Sequence, residues 1–532
     1  MDPSRECSNC RGIGLKAVRR VILLGLDGGT WDIITPLVQD GRLPTFKHLM
    51  ENGAWARMPS TIPPGTPSGW GAIMTGVSPG KHGYFNFTKV NRDYSVSLCL
   101  SDSLRAKAIW DYMDDAGRRS LLLNLPISYP PQRINGVVVS GMQTPGLHSE
   151  FTYPPELKQY VLQNLPDYVI DLEFRIYGQG QRFLSALRHA AERRFQLFER
   201  LISEGSFDFM SLVVTETDRL QHLWWNEKAV SEFYSFLDTK IAHLLQTCEN
   251  QDTMLVLASD HGFAEIQRQF SLNSFLKQKG YLEYRRSGQN LVTTLRYALH
   301  DLGLDSLVNS IPVRLRTRLK ERFMETDAQK AERIDWQSTL AFSLTSFCEI
   351  MLNSESRFDG GVVTDDNMHR VKTELIRDLL GWRDPDTGHS PLTAVYDADE
   401  LYADAPYARE FADIVVLPAM DKGYAATPHY QDRPIVPAHR ATGNHDVMGI
   451  FLAYGDTVAP AGNVGTVTMY DVAPTILHAL GIAIPSNIDG RVLSELFVDG
   501  SEPATRPVAW QDKTEKERLR RRARKLRLRN DI

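Results

Sequence analysis

The chain has 532 residues, of which 42% are hydrophobic, so it can bury a large core as one large enzyme domain with insertions or as several domains. Its formal charge of -5 and pI near 6.3 provide no overall basic field, which argues against nucleic acid as a partner. Its apolar runs are strand-sized, far below the ~18 residues of a membrane span. The leader, residues 1–19, lacks the apolar region of a secretory signal, so a cytoplasmic location is expected.

Three apolar runs each end on an acidic residue. The run 20–26 ends on Asp27, the run 208–215 leads to Asp218, and the run 253–259 ends on Asp260 and His261. Each has the length and the β-branched content of a buried strand. In an open parallel sheet, ligands bind beyond the carboxyl ends of the strands, so these acids are expected to meet at one edge.

Amphipathic helices alternate with these strands, and 182–205 has the clearest helical spacing. Further strands are predicted at 136–140 and 448–455. This alternation predicts an α/β fold with a mostly parallel central sheet flanked by helices, with inserted cap segments. The predicted division is a polar leader (1–19), a first core part (20–263, with a cap insertion at about 85–200), inserted segments (264–440), a last core part (441–500) and a basic tail (501–532).

The stretch 60–83, STIPPGTPSGWGAIMTGVSPGKHG, follows the first strand and helix and offers hydroxyl groups among glycines and prolines. Three prolines restrict the backbone around Thr66, and AIMTG could begin a helix. A loop with a helix N-cap is the simpler interpretation of this stretch alone. The hydroxyl of Thr66 is the candidate nucleophile, with Ser68 or Thr61 as alternatives.

Asp and His residues accompany the strand ends. Asp218 and His222 are four residues apart, so on a helix they face the same way. Asp260 and His261 form a second pair, and Asp27 and His445 add a carboxylate and an imidazole. Taken singly, each could be a helix cap or an ordinary histidine, but together at strand ends they favour a Zn²⁺ or Mn²⁺ site.

The order of these motifs resembles the alkaline phosphatase superfamily, in its type I phosphodiesterase/nucleotide pyrophosphatase branch. The resemblance spans about residues 20 to 498 and rests on GLDGGTWD, the 60–83 stretch, DRLQH, ASDHG, GNH and MYDVAPTILHALGI. Two further stretches, 271–282 and 334–344, resemble cytoplasmic members predicted to be phosphohydrolases or phosphomutases.

The resemblance implies two divalent cations, with Zn²⁺ expected and Mn²⁺ as the alternative. It implies one cation held by Asp218, His222 and His445, and a second held by Asp27, Asp260 and His261 with Thr66. It also implies that Thr66 attacks phosphorus and forms a covalent phospho-threonine, since a dication favours its alkoxide.

Two positions depart from the family pattern. Ser68 stands where many relatives have Pro, and Phe87 stands where they have an oxyanion-binding Asn. Asn86 and Lys81 are therefore the candidate substrate-binding donors. His82 is predicted to be a packing residue. Arg219 is predicted to lie either on the surface or against a phosphate.

The predicted function is a two-metal phosphohydrolase, specifically a phosphodiesterase acting on a small-molecule phosphate ester. One alternative is a phosphomutase of the cofactor-independent phosphoglycerate mutase type, and another is a non-catalytic scaffold on the same fold. The basic run 513–529 is predicted to be solvated, with an anionic partner as the alternative. Cys7 and Cys10 form a lone CxxC that lacks the second half of a zinc site.

Overall fold

The fold was taken from a computed structural model of the chain. It describes residues 16–172, 180–225, 227–247, 252–285, 331–345, 348–403, 405–427 and 433–511. The Cys7 and Cys10 pair, most of the charge-rich stretch 294–332 and the basic run 513–529 lie outside the described residues.

The strands lie along the whole described chain. Their bounds are β1 (Arg20–Leu26), β2 (Ala54–Pro59), β3 (Thr88–Val90), β4 (Val96–Leu98), β5 (Ser120–Leu123), β6 (Gly136–Val139), β7 (Thr152–Tyr153), β8 (Phe209–Val214), β9 (Thr253–Ala258), β10 (Gly262–Phe270), β11 (Ala341–Phe342), β12 (Glu349–Leu352), β13 (Leu392–Asp397), β14 (Ile414–Pro418), β15 (Tyr424–Ala426), β16 (Ile435–Asp446), β17 (Met448–Tyr454), β18 (Gly462–Thr466), β19 (Ile484–Pro485) and β20 (Trp510–Gln511).

The helices alternate with the strands. Their bounds are α1 (Trp31–Gln39), α2 (Pro44–Asn52), α3 (Thr66–Thr75), α4 (Pro79–His82), α5 (Ile109–Asp115), α6 (Leu157–Asn164), α7 (Gln181–Glu204), α8 (Glu216–Trp224), α9 (Lys228–Thr247), α10 (Leu272–Gln278), α11 (Asp365–Leu380), α12 (Ala398–Leu401), α13 (Val472–Ala479) and α14 (Glu502–Thr505). Short 3-10 turns occur at Ser101–Ser103, Ala408–Glu410, Met420–Lys422, Met469–Asp471 and Ser494–Leu496. Within the described ranges, no helix is long and apolar enough to cross a membrane.

A nine-stranded sheet forms the centre of the fold, in the order β18-β2-β17-β9-β1-β8-β5-β6-β7. Neighbouring strands pair in parallel from β9 through β6 and between β18 and β2, whereas β17 and β7 run antiparallel to their neighbours. The predicted α/β class with a mostly parallel sheet is therefore confirmed.

The two faces of this sheet are covered by helices, which explains why β1 is apolar at nearly every position. Ile22 and Leu24 pack on one face with residues of α7 and α9, while Val21 and Leu23 pack on the other face with α3 and α13. Successive side chains of a strand point to opposite faces, so a strand covered on both sides reads as a continuous apolar run.

The inserted region 264–440 builds smaller sheets with a core of their own. A three-stranded sheet has the order β15-β10-β16, and a four-stranded sheet has the order β11-β12-β14-β13. A separate apolar cluster, which includes Phe342, Ile350 and Leu375, lies under this part of the chain.

The segment at about 85–200, predicted as a cap insertion, contributes β5, β6 and β7 to the central sheet and α7 to its helical layer. That part of the predicted division therefore needs correction. The strand predicted at 136–140 is β6, but its neighbours β5 and β7 have only four and two residues, which is too few to show a period. The other domain boundaries stay predictions.

Candidate functional site

The carboxyl ends of β8, β1 and β9 lie side by side, and each leads into an acidic residue. Leu26 pairs with Val214 on one side, and Gly25 pairs with Ala258 on the other. This register brings Asp27 next to Asp260 at one edge of the sheet. The structure thus confirms that the acids predicted at the strand ends converge.

The first group of candidate ligands consists of Asp27, Asp260 and His261, all fully buried. Their ligand atoms lie within 4.8 Å of one another. Nε2 of His261 is 3.6 Å from Oδ1 of Asp27 and 3.3 Å from Oδ2 of Asp260. Nδ1 of His261 donates to the carbonyl of Gly262 (3.0 Å), which leaves the lone pair of Nε2 directed at the two carboxylates.

Burial and the crowding of carboxylates make negative charge costly in this group. Burial, with repulsion from neighbouring carboxylates, raises the pKa values of Asp27 and Asp260 well above the ordinary 3.8. Burial also lowers the pKa of His261 well below 6.5. Within the described residues, Oδ1 of Asp27 and Oδ2 of Asp260 have no hydrogen-bond partner although both are buried. Orphaned carboxylate oxygens of this kind fit a bound cation.

The second group consists of Asp218, His222 and His445. Oδ1 of Asp218 is 3.2 Å from Nε2 of His222 and 3.1 Å from Nε2 of His445, and the two Nε2 atoms are 3.1 Å apart. Nδ1 of His222 donates to the carbonyl of Gly443 (3.2 Å), so its Nε2 also faces the carboxylate. Burial opposes the ionisation of Asp218, but the two histidines hold its pKa well below 3.8.

The two groups are contiguous. The imidazole rings of His261 and His445 stack with centroids 3.6 Å apart and an interplanar angle of 20°. The ligand atoms of Asp218, His261 and His445 also lie within 4.8 Å of one another. His261 therefore lies within reach of both groups, and the geometry alone does not divide the residues between two ions.

Hydrogen bonds from α8, the helix that carries Asp218, hold the loop that follows β1. The hydroxyl of Thr217 donates to the carbonyl of Asp27 (2.6 Å), and the side-chain amide of Gln221 donates to the carbonyl of Gly28 (2.9 Å). Gly28 has a φ of 67°, and its N–H donates to Oδ1 of Asp260 (3.1 Å). A side chain at this position would be strained in that conformation.

Thr66 is the first residue of α3 and is 5% exposed. Its Oγ1 lies 3.5 Å from Nε2 of His261. The loop before it is held by Ser60, whose hydroxyl donates to the carbonyl of Asp260 (2.6 Å). The helix packs against the same residue, because a Cβ on Gly69 would lie 2.6 Å from that carbonyl oxygen. These contacts place the Thr66 hydroxyl beside the candidate metal ligands.

The two alternative nucleophiles have other partners. The hydroxyl of Ser68 donates to the carbonyl of Gly65 (3.0 Å) and lies 2.8 Å from the hydroxyl of Thr61.

His82 is fully buried against Gly71 of α3, and burial lowers its pKa to about 3. That packing role of His82 agrees with its prediction.

The candidate substrate-binding donors have partners too. The side-chain amide of Asn86 donates to the carbonyl of Thr345 (2.9 Å) and accepts from the N–H of Phe87 (2.8 Å). Lys81 forms an ion pair with Asp489. Their role in binding substrate stays a prediction.

The pattern did not single out several residues that support the site. The indole N–H of Trp70 donates to Oδ2 of Asp27 (3.2 Å). Arg194 and Glu216 form an ion pair in which the side chains are 1% and 2% exposed. An isolated arginine on an amphipathic helix carries no signal of burial in the sequence. The Trp70 contact depends on close packing, since a Cβ on Gly25 would lie 2.2 Å from the indole.

Solved structures with the same architecture belong to phosphoric ester and phosphonate hydrolases. They include murine ectonucleotide pyrophosphatase/phosphodiesterase 5 in an inactive threonine-to-alanine form with AMP (13% identity, 90% of this chain and 100% of that chain, TM-score 0.53). Wild-type alkaline phosphatase PafA is 15% identical, with 91% and 99% covered and a TM-score of 0.56. Phosphonoacetate hydrolase from Sinorhizobium meliloti in complex with phosphonoformate is 13% identical, with 88% and 96% covered and a TM-score of 0.55. The fold is therefore that of the alkaline phosphatase superfamily.

The family profile of type I phosphodiesterases and nucleotide pyrophosphatases matches residues 21–448. The chain belongs to this family, and it is accordingly a phosphoric ester hydrolase of the metal-dependent superfamily. No curated protein sequence matches the chain. The predicted family, fold and enzyme class are confirmed.

Proposed function

We propose that the protein is a two-metal phosphodiesterase that acts through Thr66 on small phosphate diesters. The observation that carries this proposal is the position of the Thr66 hydroxyl, 3.5 Å from His261, where a buried group and a partly buried group of candidate metal ligands meet. The alternative hydroxyls of Ser68 and Thr61 are hydrogen-bonded to each other.

The side chains present fit two divalent cations. Asp27, Asp260 and His261, with Thr66, would hold one, and Asp218, His222 and His445 would hold the other. The orphaned oxygens of Asp27 and Asp260 support the first assignment, and the three atoms within 3.2 Å of one another support the second. Oxygen and imidazole ligands without thiolate favour Zn²⁺, with Mn²⁺ as the alternative.

Bound cations would supply Lewis acidity, stabilising the Thr66 alkoxide and the charge on the phosphoryl oxygens. The hydroxyl of Thr66 releases its proton to solvent, and its oxygen attacks phosphorus in line with the leaving group. The bond from phosphorus to the leaving oxygen breaks, and the leaving oxygen takes a proton from solvent and departs as an alcohol. The phospho-threonine that remains keeps the second ester group of the diester. Water then attacks phosphorus from the side that the leaving group vacated, the bond from phosphorus to the Thr66 oxygen breaks, and a proton of the water restores the Thr66 hydroxyl as the phosphate monoester is released.

The surroundings of Thr66 keep its oxygen in position for this attack. Gly65 and the start of α3 hold the backbone, and the hydrogen bond of Ser60 to Asp260 ties the loop to the end of β9. A hydroxyl held beside the candidate metal ligands needs little reorganisation to reach the phosphorus atom.

The experiment compares Thr66→Ala with Ser68→Ala in protein loaded with Zn²⁺ or with Mn²⁺. Hydrolysis of bis-p-nitrophenyl phosphate and of p-nitrophenyl phosphate separates diesterase from monoesterase activity. Thr66→Ala is expected to abolish turnover while Ser68→Ala retains most of it. Equal activity of the Thr66→Ala variant and the wild type would end the assignment.

Trapping the phosphorylated enzyme tests the covalent intermediate. Acid quenching during turnover of bis-p-nitrophenyl phosphate is expected to leave a p-nitrophenyl phosphoryl group on the peptide that contains Thr66, as read by mass spectrometry. Transfer of that phosphoryl group back to an organic hydroxyl in place of water would identify a mutase and overturn the hydrolase.

A further inference from the structure

The two carboxylate oxygens of Asp218 face different partners. Oδ1 faces the two histidines of its group, at 3.1 and 3.2 Å. Oδ2 faces the guanidinium of the next residue, Arg219, at 3.6 Å. A cation held with His222 and His445 would therefore meet Oδ1, while Oδ2 is turned toward the arginine.

Arg219 is itself held from the opposite side. Its Nη2 donates to both carboxylate oxygens of Asp171, at 3.0 and 3.3 Å. Asp171 lies in the segment between α6 and α7, and its own Oδ1 also accepts from the N–H of Leu172 (2.9 Å). One guanidinium nitrogen, Nη2, thus contacts both oxygens of Asp171, while the other terminal nitrogen, Nη1, faces Asp218.

A second arginine fastens the same segment to the same helix. Arg194 is paired with Glu216, two residues before Asp218, and its Nη2 donates to the carbonyl of Ile170 (2.5 Å). Residues 170 and 171 are thus attached to α8 at two successive points. The carboxylate of Asp171 therefore belongs to a segment that two arginines fix against α8.

Arg219 is enclosed by acidic groups. Its side chain is 16% exposed, and its guanidinium lies between the carboxylates of Asp171 and Asp218. Arginine stays protonated in proteins, so the guanidinium keeps its charge between these two carboxylates. This argues against both a solvated surface role and a role as a free phosphate contact.

We propose that Arg219 is a positioning residue for the metal centre: it holds Oδ2 of Asp218 so that Oδ1 is presented to the cation, and Asp171 fixes Arg219 in turn. This inference rests on the proposed two-metal function. Partners of metal ligands orient the ligand atom, and their loss typically weakens metal binding by about 10- to 100-fold.

The test measures metal binding directly in the full chain. Zn²⁺ affinity is obtained by competition with a chelating dye, and the visible absorption of the Co²⁺-loaded protein reports the ligand geometry. Arg219→Gln is expected to weaken binding of one of two ions by about 10-fold or more and to change the Co²⁺ spectrum. Arg219→Lys is expected to retain part of the affinity, because the charge remains while the planar group that faces Asp171 through Nη2 and Asp218 through Nη1 is lost.

Two further variants separate positioning from general stability. Arg268→Gln removes an arginine of similar exposure, 15%, that is paired with Asp384 away from the metal ligands, and it is expected to leave metal affinity and spectrum unchanged. Asp171→Asn leaves Arg219 in place and is expected to weaken binding of the same ion. This variant also tests the proposal if Arg219→Gln does not fold.

The outcomes are distinguishable. If wild-type protein binds no divalent cation, the proposed function fails. If the wild type binds two ions and Arg219→Gln and Asp171→Asn bind them equally well, the positioning role is overturned while the function stands. An unchanged metal affinity with a raised KM for a phosphodiester would make Arg219 a substrate contact. An equal loss in Arg268→Gln would reduce the effect to stability.

Discussion

The ion pair between Arg194 and Glu216 offers a quantitative test of how the metal-bearing helix is held. The two side chains are 1% and 2% exposed, and Glu216 is the first residue of α8. Arg194 also donates to the carbonyl of Ile170 (2.5 Å) and to the hydroxyl of Thr215 (3.4 Å). The perturbation is a double-mutant cycle of Arg194→Met and Glu216→Gln.

Each single substitution leaves one buried charge without its partner. Removing one member of a buried pair costs about 3–5 kcal/mol in the free energy of unfolding. In the double variant both charges are gone, so the remaining loss is the unsatisfied carbonyl of Ile170, about 1–3 kcal/mol, with some packing. The coupling free energy between Arg194 and Glu216 is therefore expected to be at least about 3 kcal/mol.

The assay is urea unfolding followed by tryptophan fluorescence for the wild type, both single variants and the double variant. The matched control is the cycle for Arg118 and Asp208, a pair at 2.9 Å whose side chains are 38% and 30% exposed. Its coupling is expected to be about 0.2–1 kcal/mol, because solvent screens exposed pairs. Additive losses for Arg194 and Glu216, with a coupling no larger than that of the control, would refute the reasoning.

Three further predictions concern the groups around the metal ligands. Trp70→Phe removes the hydrogen bond to Oδ2 of Asp27 and is expected to weaken Zn²⁺ binding by about 10-fold, since bonds to charged groups contribute about 1.5–3 kcal/mol; an unchanged affinity in chelator competition would exclude that contribution. Gly69→Ala would place a Cβ 2.6 Å from the carbonyl oxygen of Asp260 and is expected to lower the free energy of unfolding in urea by about 1–3 kcal/mol, whereas a gain in stability would show that the helix can shift freely. Because the pKa values of Asp27 and Asp260 are raised in the metal-free fold, both carboxyls keep their protons above pH 3.8, where the unfolded chain releases them. The free energy of unfolding therefore falls as the pH rises above 3.8, and this loss is complete once the pH exceeds the pKa values of the folded protein. Zn²⁺ has to displace those protons, so the rise in melting temperature on Zn²⁺ saturation is expected to grow as the pH is raised above 3.8, and a rise that shrinks instead would contradict the protonation argument.

The acids at the strand ends were predictable because their signal is local. The composition of a run such as 20–26 predicts a buried strand, and the residue after that strand must lie at the carboxyl edge of the sheet. The pairing of Asp218 with His222 follows from helical spacing alone. By contrast, β5 and β7 are too short to show a period, so the sequence pattern does not reveal that the segment at about 85–200 belongs to the central sheet, although it predicts β6.

The substrate-binding prediction shows the limit of motif spacing. Asn86 lies one residue from the position of the family's oxyanion-binding Asn, and its side-chain amide donates to the carbonyl of Thr345, which is 259 residues away in the chain. The residues around Asn86 in the sequence give no sign of a contact with so distant a residue. The predicted cytoplasmic location likewise stays a prediction.

The sequence by itself determined the chemistry available to this protein: the α/β class, the carboxylates and imidazoles at the strand ends, and a threonine in a proline-restricted segment, which the structure shows to be the start of α3. Only the tertiary structure decided which atoms face one another. It directed Oδ1 of Asp218 to the histidines and Oδ2 to Arg219, and among the described residues it left Oδ1 of Asp27 and Oδ2 of Asp260 buried without a hydrogen-bond donor. The physical reason is that side-chain orientation, burial and charge compensation depend on packing between segments hundreds of residues apart, which no local pattern of residues encodes.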